Sequence, residues 1–305
     1  MIAVLGSLVP VFAVIALGWA GKRWEFPGAA FWDGAERIAY FVLFPALLIK
    51  TLSVAPLDKI EPGAFAGAIL AAMALNYGAW IGIGRALGLS GAQMGSLLQC
   101  GVRFNTYVGF AVAATLGGSD GFALFSVAVA VVVPIANVLS VWGLAYYSGQ
   151  EAPSLGGVAL QIAKNPFILS VLTGIALNLG GIEIPAFGVK PLIDMLSAAA
   201  LFLGLASVGA GLDLTAVKGD ARAVAAGTAL KVVLLPFMTW ASCRLFGVEG
   251  QAAWGIMVYA TLPVAPGAYV LARQMGGDAQ LMAALITAST LAAAITMPIL
   301  LSVLG

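Results

Sequence analysis

Two cations stand deep in apolar sequence. Arg103 lies between Cys100-Gly101-Val102 and Phe104, and Lys231 lies between Ala229-Leu230 and Val232-Val233-Leu234-Leu235. A charge at the centre of a bilayer costs ~2.5–3.5 kcal/mol even on the lenient insertion scale, so each needs protein, water or a counter-charge beside it. The acidic residues sit elsewhere: Asp194 and Asp213 fall near the ends of one apolar stretch, and Glu36 opens another. Deep positive charge without deep negative charge points to a cavity that accepts an anion. Either cation could instead satisfy backbone carbonyls freed by a broken helix. Arg103 fits both roles; Lys231 fits a structural or coupling role better.

A second feature bears on the same chemistry. Tyr259-Ala260-Thr261-Leu262-Pro263-Val264-Ala265-Pro266-Gly267-Ala268-Tyr269 puts two prolines and a glycine in the middle of an apolar stretch. Proline removes backbone donors and its ring strikes the preceding turn, so this helix cannot be continuous. Within a membrane such a break is tolerated only where it lines a cavity or is buried in protein. Arg103-Phe104-Asn105-Thr106-Tyr107-Val108-Gly109 occupies the corresponding place earlier in the chain. Its Asn and Thr can satisfy freed backbone groups or touch a ligand. A half-helix that starts at such a break aims a partial positive charge inward, which suits a carboxylate. A plain proline kink is the competing account of the later segment. The candidate substrate contacts are Arg103, Asn105, Thr106, Tyr107, Pro263, Val264, Pro266 and Tyr269. Lys231 and Gln99 are candidates for coupling or for supporting the breaks.

These segments need a membrane around them, and composition supplies one. Of the 305 residues 62% are hydrophobic and 9% charged, against about 25% charged in a soluble domain. The net charge of +1 argues against nucleic acid as a partner. The chain has no His, which removes the commonest proton shuttle and metal ligand, and no metal centre is expected. Cys100 and Cys243 lie in apolar stretches and read as buried free thiols. Lys22 and Arg23 follow the first apolar segment instead of preceding it, so that segment reads as a retained span, not a cleavable signal.

A span needs about 20 mostly apolar residues. Ten stretches qualify or nearly do: 2–21, 35–53, 63–86, 92–116, 120–148, 158–180, 189–212, 221–244, 251–274 and 279–304. Lys22, Arg23, Arg37, Arg85, Lys164, Lys218, Arg222 and Arg273 fall at odd-numbered connections, and Lys50, Lys59, Lys190 and Arg244 at even ones. The excess predicts cytoplasmic odd connections, hence both termini outside, in a multi-pass protein of the cell (inner) membrane. Trp19, Trp24 and Trp32 fit interfacial belts. Gly63/Gly67 and Gly78/Gly82 have the spacing that lets helices approach closely. Pro45, Pro134 and Pro298 read as kinks. Gly82-Ile83-Gly84 has no strand before it and is not read as a nucleotide loop.

The halves repeat. At one fixed offset Arg85-Ala86-Leu87-Gly88 falls on Arg244-Leu245-Phe246-Gly247, Gly91 on Gly250, and Leu116-Gly117-Gly118 on Met275-Gly276-Gly277. The reading is an all-α integral membrane protein with ten transmembrane helices in two inverted five-helix repeats: residues 1–148, a short cytoplasmic linker at 149–157, and 158–305. Five is odd, so the second copy enters the membrane from the opposite side, the arrangement many secondary transporters use.

Arg103 to Gly109, Leu262 to Asp278, Phe44-Pro45-Ala46-Leu47-Leu48 and Asn165-Pro166 together resemble bacterial transporters of the auxin efflux carrier family, in the bile acid/auxin transporter superfamily. The resemblance covers essentially the whole chain. It implies a scaffold of spans 1, 2, 6 and 7, a transport bundle of spans 3–5 and 8–10, and spans 4 and 9 that unwind and cross at the substrate site. Plant members carry an Asn-Pro pair at each crossing. This sequence keeps Asn105 but follows it with Thr106, and keeps Pro263 and Pro266 without an Asn, which departs from auxin-type recognition.

The expected function is secondary active transport of small organic anions (carboxylates such as malonate, malate or auxin-like acids) by elevator-like or rocking alternating access. No cofactor is expected. A proton or sodium ion could couple, with sodium near Asn105. The expected partners are the anion and the lipid bilayer, with a homodimer through the scaffold spans as an open option. One rival is an anion channel or uniporter using the same crossing; a channel would give far higher flux and no counterflow. The other is a membrane-embedded enzyme, against which stand the missing His and the lack of a deep carboxylate pair.

Overall fold

Glycine and proline punctuate an otherwise apolar chain, and in a computed structural model many of the helix ends fall at them, while Pro10, Pro134 and Pro298 lie inside continuous helices. The structure describes residues 2–57, 61–150, 154–215 and 220–304. Lys59 and Lys218 of the charge count, and residues 151–153 of the expected linker, lie outside them.

The expected first span holds α1 (Ile2–Arg23). The second is α2 (Ala29–Ile38), a π turn at Ala39–Leu43, and α3 (Phe44–Leu52). It begins at Ala29, not near 35, so Glu36 does not open it but lies near the end of α2. Then come α4 (Pro62–Ala86), α5 (Gly91–Val102), α6 (Thr106–Leu116) and α7 (Gly118–Ser148). The later chain forms α8 (Leu155–Ala163), α9 (Pro166–Leu179) and α10 (Val189–Ala210). The expected span over 158–180 is therefore interrupted: Asn165 caps α9 by accepting from Phe167 and Ile168, and Pro166 follows as its first residue. Last come α11 (Ala221–Ala229), a π turn at Leu230–Leu234, α12 (Leu235–Leu245), α13 (Gly250–Thr261), α14 (Gly267–Gln274) and α15 (Ala279–Leu304).

The described residues contain no strand. Five stretches among them are long and apolar enough to cross a membrane: α4, α7, α10, Ala221–Leu245 and α15. Both π turns directly precede a helix with proline in its first turn, Pro45 or Pro236. A proline ring collides with the carbonyl four residues back, and a widened turn relieves that collision while the helix continues.

Several boundaries recur at the offset seen in the sequence. α5 and α13 are both 12 residues long. α4 and the Ala221–Leu245 stretch are both 25. Gly88 and Gly247 both have φ 66°. At the first, Leu89 N–H donates to Gly84 O at 3.2 Å; at the second, Val248 N–H donates to Cys243 O at 2.9 Å. Each is the left-handed glycine closure of a helix C-terminus.

Helices α1, α3, α9 and α10 pack on one another, and α5, α7 and α13 form a second group with α4 and α12 beside it. The α1–α10 contact is backbone against backbone. A Cβ on Gly18 would strike Ala206 O, and one on Gly209 would strike Ile15 O. Close approach of this kind needs glycine. The glycines expected to play this part do so only in one case: Gly67 lies under the Phe246 ring, while Gly78 and Gly82 face open space. Spacing marks small residues on one face, but which face meets a helix is set by the bundle. Lys50 and Asp194 pair at 2.6 Å, joining the end of α3 to the start of α10 and fixing them antiparallel.

Candidate functional site

Two interruptions meet inside the bundle. α5 stops at Val102 because Arg103 turns extended (φ −80°, ψ 138°), and α13 stops at Thr261 because Leu262 does the same (φ −73°, ψ 144°). Asn105 N–H donates to Pro263 O at 2.8 Å, joining one break to the other. Val264 N–H donates to Ser289 Oγ on α15 at 3.1 Å, and Gln99 Nε2 donates to Ala268 O on α14 at 2.7 Å. Buried backbone groups must find partners, and these bonds replace the ones the helices lose.

The Gly101 carbonyl illustrates the accounting. In a continuous helix Asn105 N–H would serve it, but that donor is turned to Pro263. Asn76 Nδ2 donates to Gly101 O at 3.2 Å, and Lys231 Nζ donates to it at 3.4 Å. Trp80 Nε1 holds the Asn76 amide through its Oδ1 at 2.6 Å. Lys231 is fully buried, so its charge rests against the negative end of α5.

On the other side of the break is a cavity of about 270 Å³, lined by Arg103, Phe104, Asn105, Thr106 and Tyr107 from the first interruption and by Ala265, Pro266 and Gly267 from the second. Glu36 and Tyr40 of span 2, Asn137 of α7, and Asn165 and Phe167 complete its wall. Arg103 is half-buried and donates from Nη2 to Asn137 Oδ1 at 3.1 Å, while its Nε is buried without a partner. Among the described residues it makes no ion pair. Asn105 Oδ1 accepts from Val108 N–H at 3.3 Å, capping α6, and its Nδ2 is left buried and unpartnered. α6 and α14 thus start at the cavity, and the positive ends of their dipoles favour negative charge there.

Tyr107 and Phe167 form one wall of the cavity, and packed aromatic rings lie behind them. Phe44 stacks on Tyr107 at 4.6 Å between centroids and lies 5.6 Å from Phe110, which stacks on Phe122 at 5.1 Å.

Of the candidate contacts, Arg103, Asn105, Thr106, Tyr107 and Pro266 come together. Pro263, Val264 and Tyr269 do not line the cavity. Pro263 and Val264 are buried by their backbone bonds, and Tyr269, one residue past buried Ala268, is turned outward. Gln99 and Lys231 stand behind the break and not in the cavity. Glu36, Tyr40, Asn137 and Asn165 were missed as site residues. Asn165 was named only in the Asn165-Pro166 resemblance and Glu36 only as an acid at a span end, while Asn137 is a lone amide after the apolar run Val131-Val132-Val133-Pro134-Ile135-Ala136.

The family described as "Membrane transport protein" matches residues 153–301. Over 309 aligned residues the chain is 28% identical to a Rhizobium meliloti (strain 1021) protein named "Putative malonate transporter", covering 95% of this chain and 92% of that protein. Both matches support the resemblance to transporters of the auxin efflux carrier family. The two matches and the apolar helices support a multi-pass membrane protein and point to a transporter rather than an enzyme.

In this protein Asn105 has two separable jobs. Asn105→Asp keeps an oxygen for the α6 cap but replaces the free donor with a carboxylate beside Arg103. The expected result is a melting temperature equal to or above the parent's. Carboxylate binding should weaken by tenfold or more, from a lost donor worth about 1.5–3 kcal/mol to a charged group. Ligand-dependent melting shifts in detergent measure both, and unchanged carboxylate binding would remove Asn105 from the site.

Proposed function

We propose that the protein is a secondary active transporter of small organic anions, working by alternating access across ten spans in two inverted repeats whose fourth helices cross at the site. The observation that carries this reading is the cavity at the two helix breaks, where a guanidinium without an ion pair and an unpartnered amide donor meet two helix N-termini. Arg103 holds the carboxylate, Asn105 and Thr106 contact it, and Lys231 and Gln99 support the crossing. The matched helix lengths and glycine closures at one offset favour the repeat. The name of the Rhizobium relative makes malonate the first substrate to try, with malate and auxin-like acids after it.

Glu36 and Asn165 lie toward the connections after spans 1 and 5, both odd-numbered. With odd connections cytoplasmic and both termini outside the inner membrane, the cavity belongs to an inward-facing state. The aromatic packing behind Tyr107 closes the far side, which favours a carrier over an open channel. Sodium at Asn105 is disfavoured, because its oxygen already accepts from Val108 N–H and the group left free is a donor. Assembly as a homodimer through the scaffold spans would leave this cavity intact.

Counterflow tests the reading. Proteoliposomes preloaded with unlabelled malonate are expected to accumulate labelled malonate transiently, with saturable initial rates. No transient accumulation, or a large non-saturating current, would favour a channel.

A further inference from the structure

The cavity is not simply basic. Glu36 lines the same space as Arg103, so the described cavity wall carries one cation and one carboxylate. The groups around Glu36 are few. On its own helix are Asp33 and Arg37, with Tyr40 a turn further on; across the cavity are Arg103 and Tyr107, whose ring lies within reach of the Glu36 charge. Helix α10, packed along α2, carries titratable groups only at Lys190 and Asp194. Those stand at its far end, where Asp194 is held by Lys50 at the end of α3. Arg103 is itself turned to Asn137 and not to Glu36. The two charges therefore remain separate features of one small cavity.

A dianion placed here would meet Arg103 with one end and Glu36, exposed at the cavity wall, with the other, where like charges repel. A monoanion with a hydrogen-bond donor at its far end satisfies both walls. Its carboxylate accepts from Arg103 and Asn105, and its donor gives a charge-assisted hydrogen bond to Glu36. We propose that the transported species is a small monoanion bearing such a donor, with Glu36 selecting against the doubly charged form. The donor is either the protonated second carboxyl of a dicarboxylic acid or the hydroxyl of a hydroxy acid. In the first case the substrate carries its own proton across the membrane, and coupling to a pH gradient needs no other deep carboxylate. The inference rests on the anion-transport reading above and narrows its substrate.

The full chain, purified in detergent and reconstituted, is tested with malonate, monomethyl malonate and glycolate across pH. For malonate the apparent affinity is expected to fall about tenfold per pH unit above the diacid's second ionisation, because only the monoanion fraction binds. Monomethyl malonate, which has the charge but no donor, should bind at least tenfold more weakly at every pH. Glycolate should bind without that pH dependence, and binding of glycolate with little binding of malonate would identify a hydroxy acid as the source of the donor. Glu36→Gln can donate to a second carboxylate, so its malonate profile should flatten and tolerate the dianion. A wild-type profile that is flat or rises with pH overturns the inference while leaving anion transport standing. So does a Glu36→Gln profile that follows the wild type, or equal binding of the monomethyl ester. No melting shift and no uptake with any of the three carboxylates overturns both.

Discussion

Arg103→Ala is expected to abolish organic-anion uptake in proteoliposomes while leaving the protein folded. The guanidinium is the one cation in the cavity wall, and its only hydrogen bond among the described residues is to Asn137. A charged hydrogen bond contributes about 1.5–3 kcal/mol, so two of them to a carboxylate amount to about 3 kcal/mol or more, a hundredfold or greater loss in affinity. Truncation leaves the Asn137 amide facing a cavity that water can enter, so the melting temperature should change little. Arg103→Lys keeps the charge but not the planar fork that can reach Asn137 and a carboxylate together, and intermediate activity is expected. Undiminished uptake by Arg103→Ala would assign the residue to the structural role its position at the helix break also permits.

Gly209→Val should have the largest effect on folding. A side chain there drives into the Ile15 carbonyl of α1, and Gly18 makes the reciprocal approach to Ala206. Overpacking usually costs about 1–3 kcal/mol when side chains can yield. Here the obstacle is backbone, so about 3 kcal/mol or more is expected, with α1 prised from α10. The readouts are a lowered melting temperature and loss of a monodisperse peak on size exclusion in detergent. Gly78→Ala is the matched control: it faces open space in mid-helix, and removing a helical glycine should gain about 0.5–1 kcal/mol. A Gly209→Val protein as stable as its parent would show that α1 and α10 can separate without cost.

The membrane class and most helix limits were legible in the chain, because they follow from local rules. Apolar runs of sufficient length become helices, and glycine and proline end them. The ends of α4, α7 and α15 fall within two residues of their expected positions for that reason. Span 2 was placed too late because Asp33, Glu36 and Arg37 depress hydropathy in a segment that is helical anyway, its charged face turned to water and the cavity. Span 6 was drawn across Lys164-Asn165 because hydropathy does not see a cap.

Within the site, local chemistry found the two interruptions and the cation between them. Two prolines followed by a glycine interrupt a helix, and a half-buried Arg deep in apolar sequence needs a partner. The tertiary structure alone decided which neighbours share the cavity. Glu36, Asn137 and Asn165 come from three different spans, and Pro263 and Val264, beside the break, are turned away by bonds to Asn105 and Ser289. Sequence reports what each residue can do and where a helix must fail. Which faces look into the common space depends on how helices distant in the chain rotate and pack, and no local spacing encodes that.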